Sequence, residues 1–322
     1  MTAWYAAVDL GASNIKAVVG DESGVVVSRA RRRTPTGPDG DAVADAMIAA
    51  LTDALEDAGV EPNEIVRCGV GSVGPLDKAA GELGRSANLS AAIDRVPLAE
   101  PLEAFLDADV TVINDANAGV IGERFYAERS PDDMAYVTIS SGIGAGVAVD
   151  GQVLSGWDGN AAEVGHNTVE IDGLTCGCGA AGHWEAYCSG TNIPRHARHV
   201  HETEGVPTSM PLDEIDAKDV FAAADAADPD PLAERVIERM QAFNVAGVAD
   251  LVHAYAPLVV FLGGAVARNN PEQVVDPIGE RLPELVMTNV PEVRLTTLGD
   301  EAVVRGALAA AITAGDRSQV RP

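Results

Sequence analysis

Trp4-Tyr-Ala-Ala-Val-Asp-Leu10 runs into Gly11-Ala-Ser-Asn14 and then into Ile15-Lys-Ala-Val-Val19. An apolar run of strand length, a turn of small polar residues and a second apolar run read as strand, turn, strand. Val25 to Arg29 extends the set after Gly20-Asp-Glu-Ser-Gly24, a hairpin signal. The same unit recurs downstream: Met134 to Ile139, then Ser140-Ser-Gly-Ile-Gly-Ala-Gly146, then Val147-Ala-Val149. A strand follows each glycine turn, so neither is a dinucleotide-binding turn, which opens a helix. No Gly-x-x-x-x-Gly-Lys-Ser/Thr is present either. Two copies of one unit predict two similar lobes.

Between and after these units the periodicity alternates. Asp39 to Ala58 is helical, with Val43, Met47, Ala50, Leu51 and Leu55 on one face. Ile65 to Val70 reads as a strand leading into Gly71-Ser-Val-Gly-Pro75, and Val110 to Asn114 as a strand before a helix over 116–126. Residues 202–216 read as an exposed acidic connector. Pro231 to Ala256 predicts a long helix, Leu258 to Leu262 a strand ending at Gly263-Gly264, and Glu301 to Ala314 a final Ala-rich helix. Alternating strands and helices argue an α/β fold, whose ligands bind beyond the strand ends.

Each motif admits a functional and a structural reading. Gly-x-Gly at a strand end lets backbone N–H groups approach a phosphate, and Asp9 beside it suits a water-coordinated Mg²⁺; an ordinary hairpin turn gives the same pattern. Asn114-Asp115 puts a carboxylate where it can take a proton from a substrate hydroxyl, and both residue types also cap helices. Cys176 and Cys178, with His183 five residues on and His166 ten before, supply four N/S ligands suited to tetrahedral zinc. Cys68 and Cys188 read as core residues. His196, His199, His201 and His253 read as helix or surface residues, with a second metal site at 196–201 as the lesser alternative.

Composition narrows the function further. The 322 residues carry 49 Asp and Glu against 22 Lys and Arg, a net charge of −27, with lysine only at positions 16, 78 and 218. Nucleic-acid binding needs basic patches, so no nucleic-acid partner is expected. Arg29 to Arg33 is the exception, and a short one. Acidity with few lysines resembles proteins of salt-loving organisms, and molar salt screens such self-repulsion. Apolar residues make up 47%, enough for a packed core. No long uncharged apolar run and no basic leader is present, so neither a membrane span nor a signal peptide is expected. Four cysteines are too few for a disulfide scaffold of this length, and a reducing cytoplasm is the expected setting.

Together the motifs resemble the ROK (repressor, open reading frame, kinase) family, and its glucokinase branch most. The resemblance runs through Asp9-Leu-Gly-Ala-Ser-Asn-Ile-Lys16, Gly69-Val-Gly-Ser-Val-Gly-Pro-Leu-Asp77, Asn114-Asp-Ala-Asn-Ala118 and Ser141-Gly-Ile-Gly-Ala-Gly146. It continues through Glu163-Val-Gly-His166, Cys176 to Gly190, Gly263-Gly264 and Gly299-Asp-Glu-Ala302. It implies a two-lobed actin-like ATPase fold (ribonuclease H-like) with a sugar in the cleft. Residues 1–113 would form the smaller lobe, rejoined by a C-terminal helix over about 302–322, and 114–301 the larger lobe with the zinc site. Asp115 would be the catalytic base. Asn88, Asn114, Glu163, His166 and Glu185 would hold the sugar with it. Asp9, Gly11, Ser13 and Lys16 would form the first phosphate loop, Ser141, Gly142 and Gly144 the second, and Gly263 with Gly264 would meet the nucleoside.

Two positions depart from the family pattern. His183 stands where a third zinc cysteine is usual, and a His₂Cys₂ set is still tetrahedral. Ala12-Ser13 stands for Gly-Thr, and Ser13 keeps the hydroxyl. The implied activity is ATP-dependent phosphorylation of a hexose, glucose at its 6-hydroxyl first, with Mg²⁺ on ATP and structural zinc. Another hexose or N-acetylhexosamine, or a silent sugar-binding protein, is the alternative. A sugar-responsive regulator would carry a helix-turn-helix before the first turn, and a turn starting at Asp9 leaves no room for one. A homodimer or higher homo-oligomer is implied by the resemblance alone.

Overall fold

Strand β1 (Trp4–Leu10) has five of its seven residues buried and lies at the centre of its sheet. In the computed structural model, residues 2–37, 39–85, 89, 93–127, 131–157 and 159–313 are described. β2 (Asn14–Asp21) and β3 (Val26–Arg33) fold back from β1 as an antiparallel meander. Helix α1 (Gly40–Ala58) carries the chain across to β4 (Ile65–Ser72), which pairs with β1 in parallel. Asp39 caps α1 by accepting the Asp41 N–H, and Gly59 ends it in the left-handed conformation. Its face of Val43, Met47, Ala50, Leu51 and Leu55 is buried, as the periodicity predicts.

Three two-residue strands, β5 (Leu76–Asp77), β6 (Glu82–Leu83) and β7 (Val96–Pro97), form a small antiparallel sheet. Helix α2 (Glu100–Leu106) precedes β8 (Asp109–Asn114), which pairs in parallel with β4. Helix α3 (Asp115–Tyr126) starts directly at its end. The first sheet is therefore ordered β3-β2-β1-β4-β8.

The second sheet repeats that order as β11-β10-β9-β12-β13. Its strands are β9 (Met134–Ile139), β10 (Ile143–Val149), β11 (Gln152–Val153), β12 (Val259–Gly263) and β13 (Glu292–Leu295). β10 and β11 are antiparallel, whereas β9, β12 and β13 pair in parallel. Helices α4 (Glu185–Cys188), α5 (Ile193–Glu204), α6 (Ala217–Ala224) and α7 (Pro231–Tyr255) lie between β11 and β12. α8 (Gly264–Asn269) and α9 (Pro271–Leu285) lie between β12 and β13, and α10 (Ala302–Ile312) closes the described chain. This is the α/β class expected, with the duplicated strand–turn–strand unit at the head of each sheet.

The chain forms two compact units. One comprises residues 1–132, 146–161 and 297–322, and the other residues 133–145 and 162–296. Relative to a division at 113/114, α3 goes with the first unit, and the reason is packing. A Cβ on Gly306 of α10 would lie 1.7 Å from the Ala118 carbonyl oxygen of α3, and one on Gly69 of β4 would lie 2.0 Å from that of Ala307. Backbone approaches this close exclude any side chain, so α10 is wedged between β4 and α3. Among the described residues no helix is long and apolar enough to cross a membrane.

Candidate active site

In the first unit, the end of β1 brings a carboxylate to the glycine turn. Asp9 is 8% exposed and stands directly opposite Lys16 in the β1–β2 register. The Lys16 ammonium is 3.8 Å from Asp9 Oδ2 and 3.7 Å from Asp300 Oδ2, and it also donates to the Asp300 carbonyl. Burial lifts the Asp9 carboxyl to about 6; Lys16 pulls it down and Asp300 pushes it up again. The turn is closed by the Gly11 N–H donating to the Asn14 carbonyl at 3.1 Å. Thr34, the residue after β3, fastens it: its N–H donates to the Ser13 carbonyl and its hydroxyl to the Gly11 carbonyl at 2.7 Å. Asp300 and Thr34 carry no local signal of a role at this turn, because each reaches it from a distant part of the sequence.

At the end of β8, Asn114 is the helix cap. Its Oδ1 accepts the N–H groups of Ala116 at 3.0 Å and Asn117 at 3.4 Å. That leaves Nδ2 as a donor for a hydroxyl. Asp115 is the first residue of α3 and is half-buried. A carboxylate there is favoured by the positive end of the helix dipole. Asn88 lies outside the described residues.

In the second unit, Ser140 N–H donates to the Gly142 carbonyl at 2.9 Å to close the second glycine turn. Glu185, on α4, reaches the same turn, where its Oε2 accepts the Ile143 N–H at 2.8 Å. A Cβ on Gly142 would sit 2.7 Å from that oxygen, so glycine is what lets the carboxylate in. Ser141 is exposed, and Gly144 follows on β10. Gly263 and Gly264 end β12 and open α8. Gly264 has φ +83°, and a Cβ there would lie 2.3 Å from the Ile139 carbonyl oxygen. These two glycines serve the packing of β9 against β12 whatever else they meet.

Beside Glu185 lies a compact donor cluster. His166 Nδ1, Cys176 Sγ, Cys178 Sγ and His183 supply ligand atoms within 4.8 Å of one another. Cys176 Sγ is 3.8 Å from His166 Nδ1, and Cys178 Sγ is 3.3 Å from His183 Nδ1. With Zn–S about 2.3 Å and Zn–N about 2.0 Å, a tetrahedral S–Zn–N edge is ~3.6 Å, so the cluster fits zinc. Burial pushes the Cys176 thiol up, and burial with the His166 ring holds His183 below the usual histidine value. A divalent cation is what ionises such a thiol, and a neutral imidazole is ready to bind one.

His166 presents its other nitrogen, Nε2, to Glu163 Oε2 at 3.9 Å. The cluster's loop is held from behind, because the Leu174 N–H donates to the Tyr187 hydroxyl and Arg195 donates to the Thr175 carbonyl. The sequence reading missed both supports. The alternative cluster at 196–201 does not assemble. His196 Nδ1 faces the Tyr187 carbonyl in the core, and His201 Nδ1 faces that of Val206. Cys68 and Cys188 are buried core residues, and burial raises both thiols.

A sequence profile of the ROK family matches residues 5–314. The glucokinase of Pyrobaculum calidifontis is 34% identical over 311 residues, covering 95% of this chain and 94% of that one. The ROK hexokinase from Thermus thermophilus has a TM-score of 0.81 at 32% identity, covering 97% and 99% of the two chains. A ROK family glucokinase from Streptomyces griseus, solved with glucose and AMPPNP, has a TM-score of 0.76 at 32% identity, covering 96% and 99%.

Proposed function

The chain belongs to the ROK family, and on that premise we propose that it is an ATP-dependent hexose kinase acting on the 6-hydroxyl of glucose. Asp115 accepts the hydroxyl proton as the oxygen attacks the γ-phosphate of Mg-ATP. Asn114, through its free Nδ2, and Glu163, His166 and Glu185 hold the other hydroxyls. The Gly11–Ser13 turn and the Ser141–Gly144 turn offer backbone N–H groups to the phosphates, with Lys16 supplying charge and Asp9 facing the metal that arrives with ATP. Gly263 and Gly264 face the nucleoside. Phosphoryl transfer is mostly positioning and charge stabilisation, which is what these groups supply.

The observation that carries the reading is the division of labour at 114–115. Asn114 supplies the helix cap, and Asp115 beside it, with Oδ1 accepting the Ala116 N–H at 2.8 Å, sets a carboxylate at the strand end. His166, Cys176, Cys178 and His183 would hold zinc, whose chemistry here is to fix the fold of their loop. With Nδ1 committed to that cluster, His166 offers Nε2–H as a donor, and the metal site fixes the tautomer of a sugar ligand. The two units are taken as the two lobes of the kinase. A cytoplasmic setting and a homo-oligomer complete the proposal, the latter checked by light scattering.

The test is ADP release from Mg-ATP in molar KCl, across glucose, mannose, fructose, N-acetylglucosamine and N-acetylmannosamine. Strong turnover on glucose supports the assignment. Preference for another of these sugars keeps the mechanism and reassigns the substrate. No turnover by folded, zinc-loaded protein overturns it.

A further inference from the structure

The densest positive run in this acidic chain, Arg29-Ala-Arg-Arg-Arg33, forms the end of β3. Two of its arginines are used within the unit. Arg29 Nε lies 2.6 Å from Glu301, and Arg32 makes a two-pronged pair with Asp53 at 2.7 and 2.8 Å. Arg31 and Arg33 are exposed and have no ion-pair partner among the described residues. In a chain with 49 carboxylates and 22 cations, partners were not scarce.

Their position is specific. In the β2–β3 register Arg31 stands opposite Lys16, and Arg33 opposite Asn14. Directly opposed residues share a face with Cβ atoms about 5 Å apart. Lys16, Arg31 and Arg33 therefore line one face, the face of Asp9. Like charges placed opposite each other in a sheet are destabilising; Lys16 is offset by Asp9 and Asp300, whereas Arg31 has no carboxylate partner among the described residues. The end of this strand is also fastened to the first glycine turn through both bonds of Thr34. The two guanidinium rows are about 7 Å apart along the strand, which suits a chain of phosphates better than a single one. Each guanidinium fork matches two phosphate oxygens.

We propose that Arg31 and Arg33 form a phosphate-chain subsite continuous with the Gly11–Ser13 turn, taking phosphates of the phosphoryl donor whether carried on a nucleotide or as an inorganic chain. The assignment of the chain as a donor rests on the kinase reading above; the anion site itself does not.

The probe is inorganic tripolyphosphate, its binding measured by calorimetry in molar KCl alongside KM for Mg-ATP and for glucose. Three proteins are compared: wild type, the double variant Arg31→Gln/Arg33→Gln, and Arg32→Gln on the opposite face. The double variant is expected to bind tripolyphosphate about 100-fold more weakly, about tenfold per charged contact, with Arg32→Gln within about twofold of wild type. A parallel rise in KM for ATP at constant KM for glucose assigns the subsite to the nucleotide's own chain. An unchanged KM for ATP assigns it to inorganic chains. No binding by the wild type, equal binding by the double variant, or an equal loss in Arg32→Gln overturns the proposal. Binding is read without turnover, so an inactive wild type would sink the kinase reading while leaving this one to be decided by the calorimetry.

Discussion

Asp9 carries a cost that only a ligand relieves. A carboxyl lifted from 3.8 in the unfolded chain to about 6 in the fold binds its proton more tightly when folded. Its contribution is therefore fully present below about pH 4 and lost as pH rises through 6, amounting to about 3 kcal/mol of destabilisation at neutral pH. Asp9→Asn should then be more stable than wild type at pH 8 by about 3 kcal/mol, the net of the burial cost and the opposing attraction of Lys16. The gain should vanish at pH 4. Urea unfolding of both proteins across this range checks it, and a gain that does not grow with pH refutes it. The same variant should lose its affinity for Mg-ATP, so stability and function move in opposite directions at one atom. Asp115→Asn separates the two differently. Loss of a general base costs about 10²–10⁴ in rate, so kcat should fall by that much while glucose binding, read by calorimetry, stays within a few fold. Wild-type turnover in this variant would remove Asp115 from the mechanism.

Helix α10 shows what an element contributes that no single residue does. Eleven residues at the end of the described chain complete the first sheet's packing, because Gly306 and Gly69 allow backbone contact on two sides. Gly306→Ala pushes a methyl to within 1.7 Å of a carbonyl oxygen, and overpacking of this severity should cost about 3 kcal/mol. A Tm within about 2 °C of wild type would show that α10 can slide. At the donor cluster the prediction concerns the 166–183 segment, which is largely irregular. Removal of metal by a chelator should lower Tm and raise KM for the sugar with a smaller change in kcat, since His166 belongs to the cluster and Glu185 adjoins it. Folded metal-free protein with unchanged KM would break that coupling.

These elements also mark what the sequence makes legible. Strands β1, β2 and β9, helix α1 and the four-donor spacing can all be read because each is local. Helix α9 is hidden by Pro277 and Pro283 inside it, and β13 by its mostly exposed residues. The Glu185–Ile143 and Lys16–Asp300 contacts join residues 42 and 284 positions apart, a distance over which no periodicity carries information.

The net charge of −27 belongs to no residue or element, and it makes stability depend on the solvent. Much of the positive charge is already paired within the structure: Arg235 and Arg239 share Glu204, Arg29 and Arg305 share Glu301, and Arg124 meets Asp132. The excess carboxylates are left to repel one another. At 0.1 M salt the screening length is about 10 Å, the scale of separations between neighbouring surface charges, and at 1 M it is about 3 Å. Salt also weakens the surface ion pairs, but each contributes only about 0–1 kcal/mol, so relief of repulsion dominates. Tm should therefore climb by about 10 °C between 0.1 M and molar KCl, corresponding to several kcal/mol in a chain of this size. Salt can also strengthen apolar burial, and a second protein separates the two causes. Replacing eight exposed Asp and Glu by Asn and Gln leaves the core unchanged. If repulsion is the cause, that variant melts higher than wild type at 0.1 M and converges with it in molar KCl. Equal salt slopes in the two proteins would assign the effect to the core and remove the acidic surface from the account of stability.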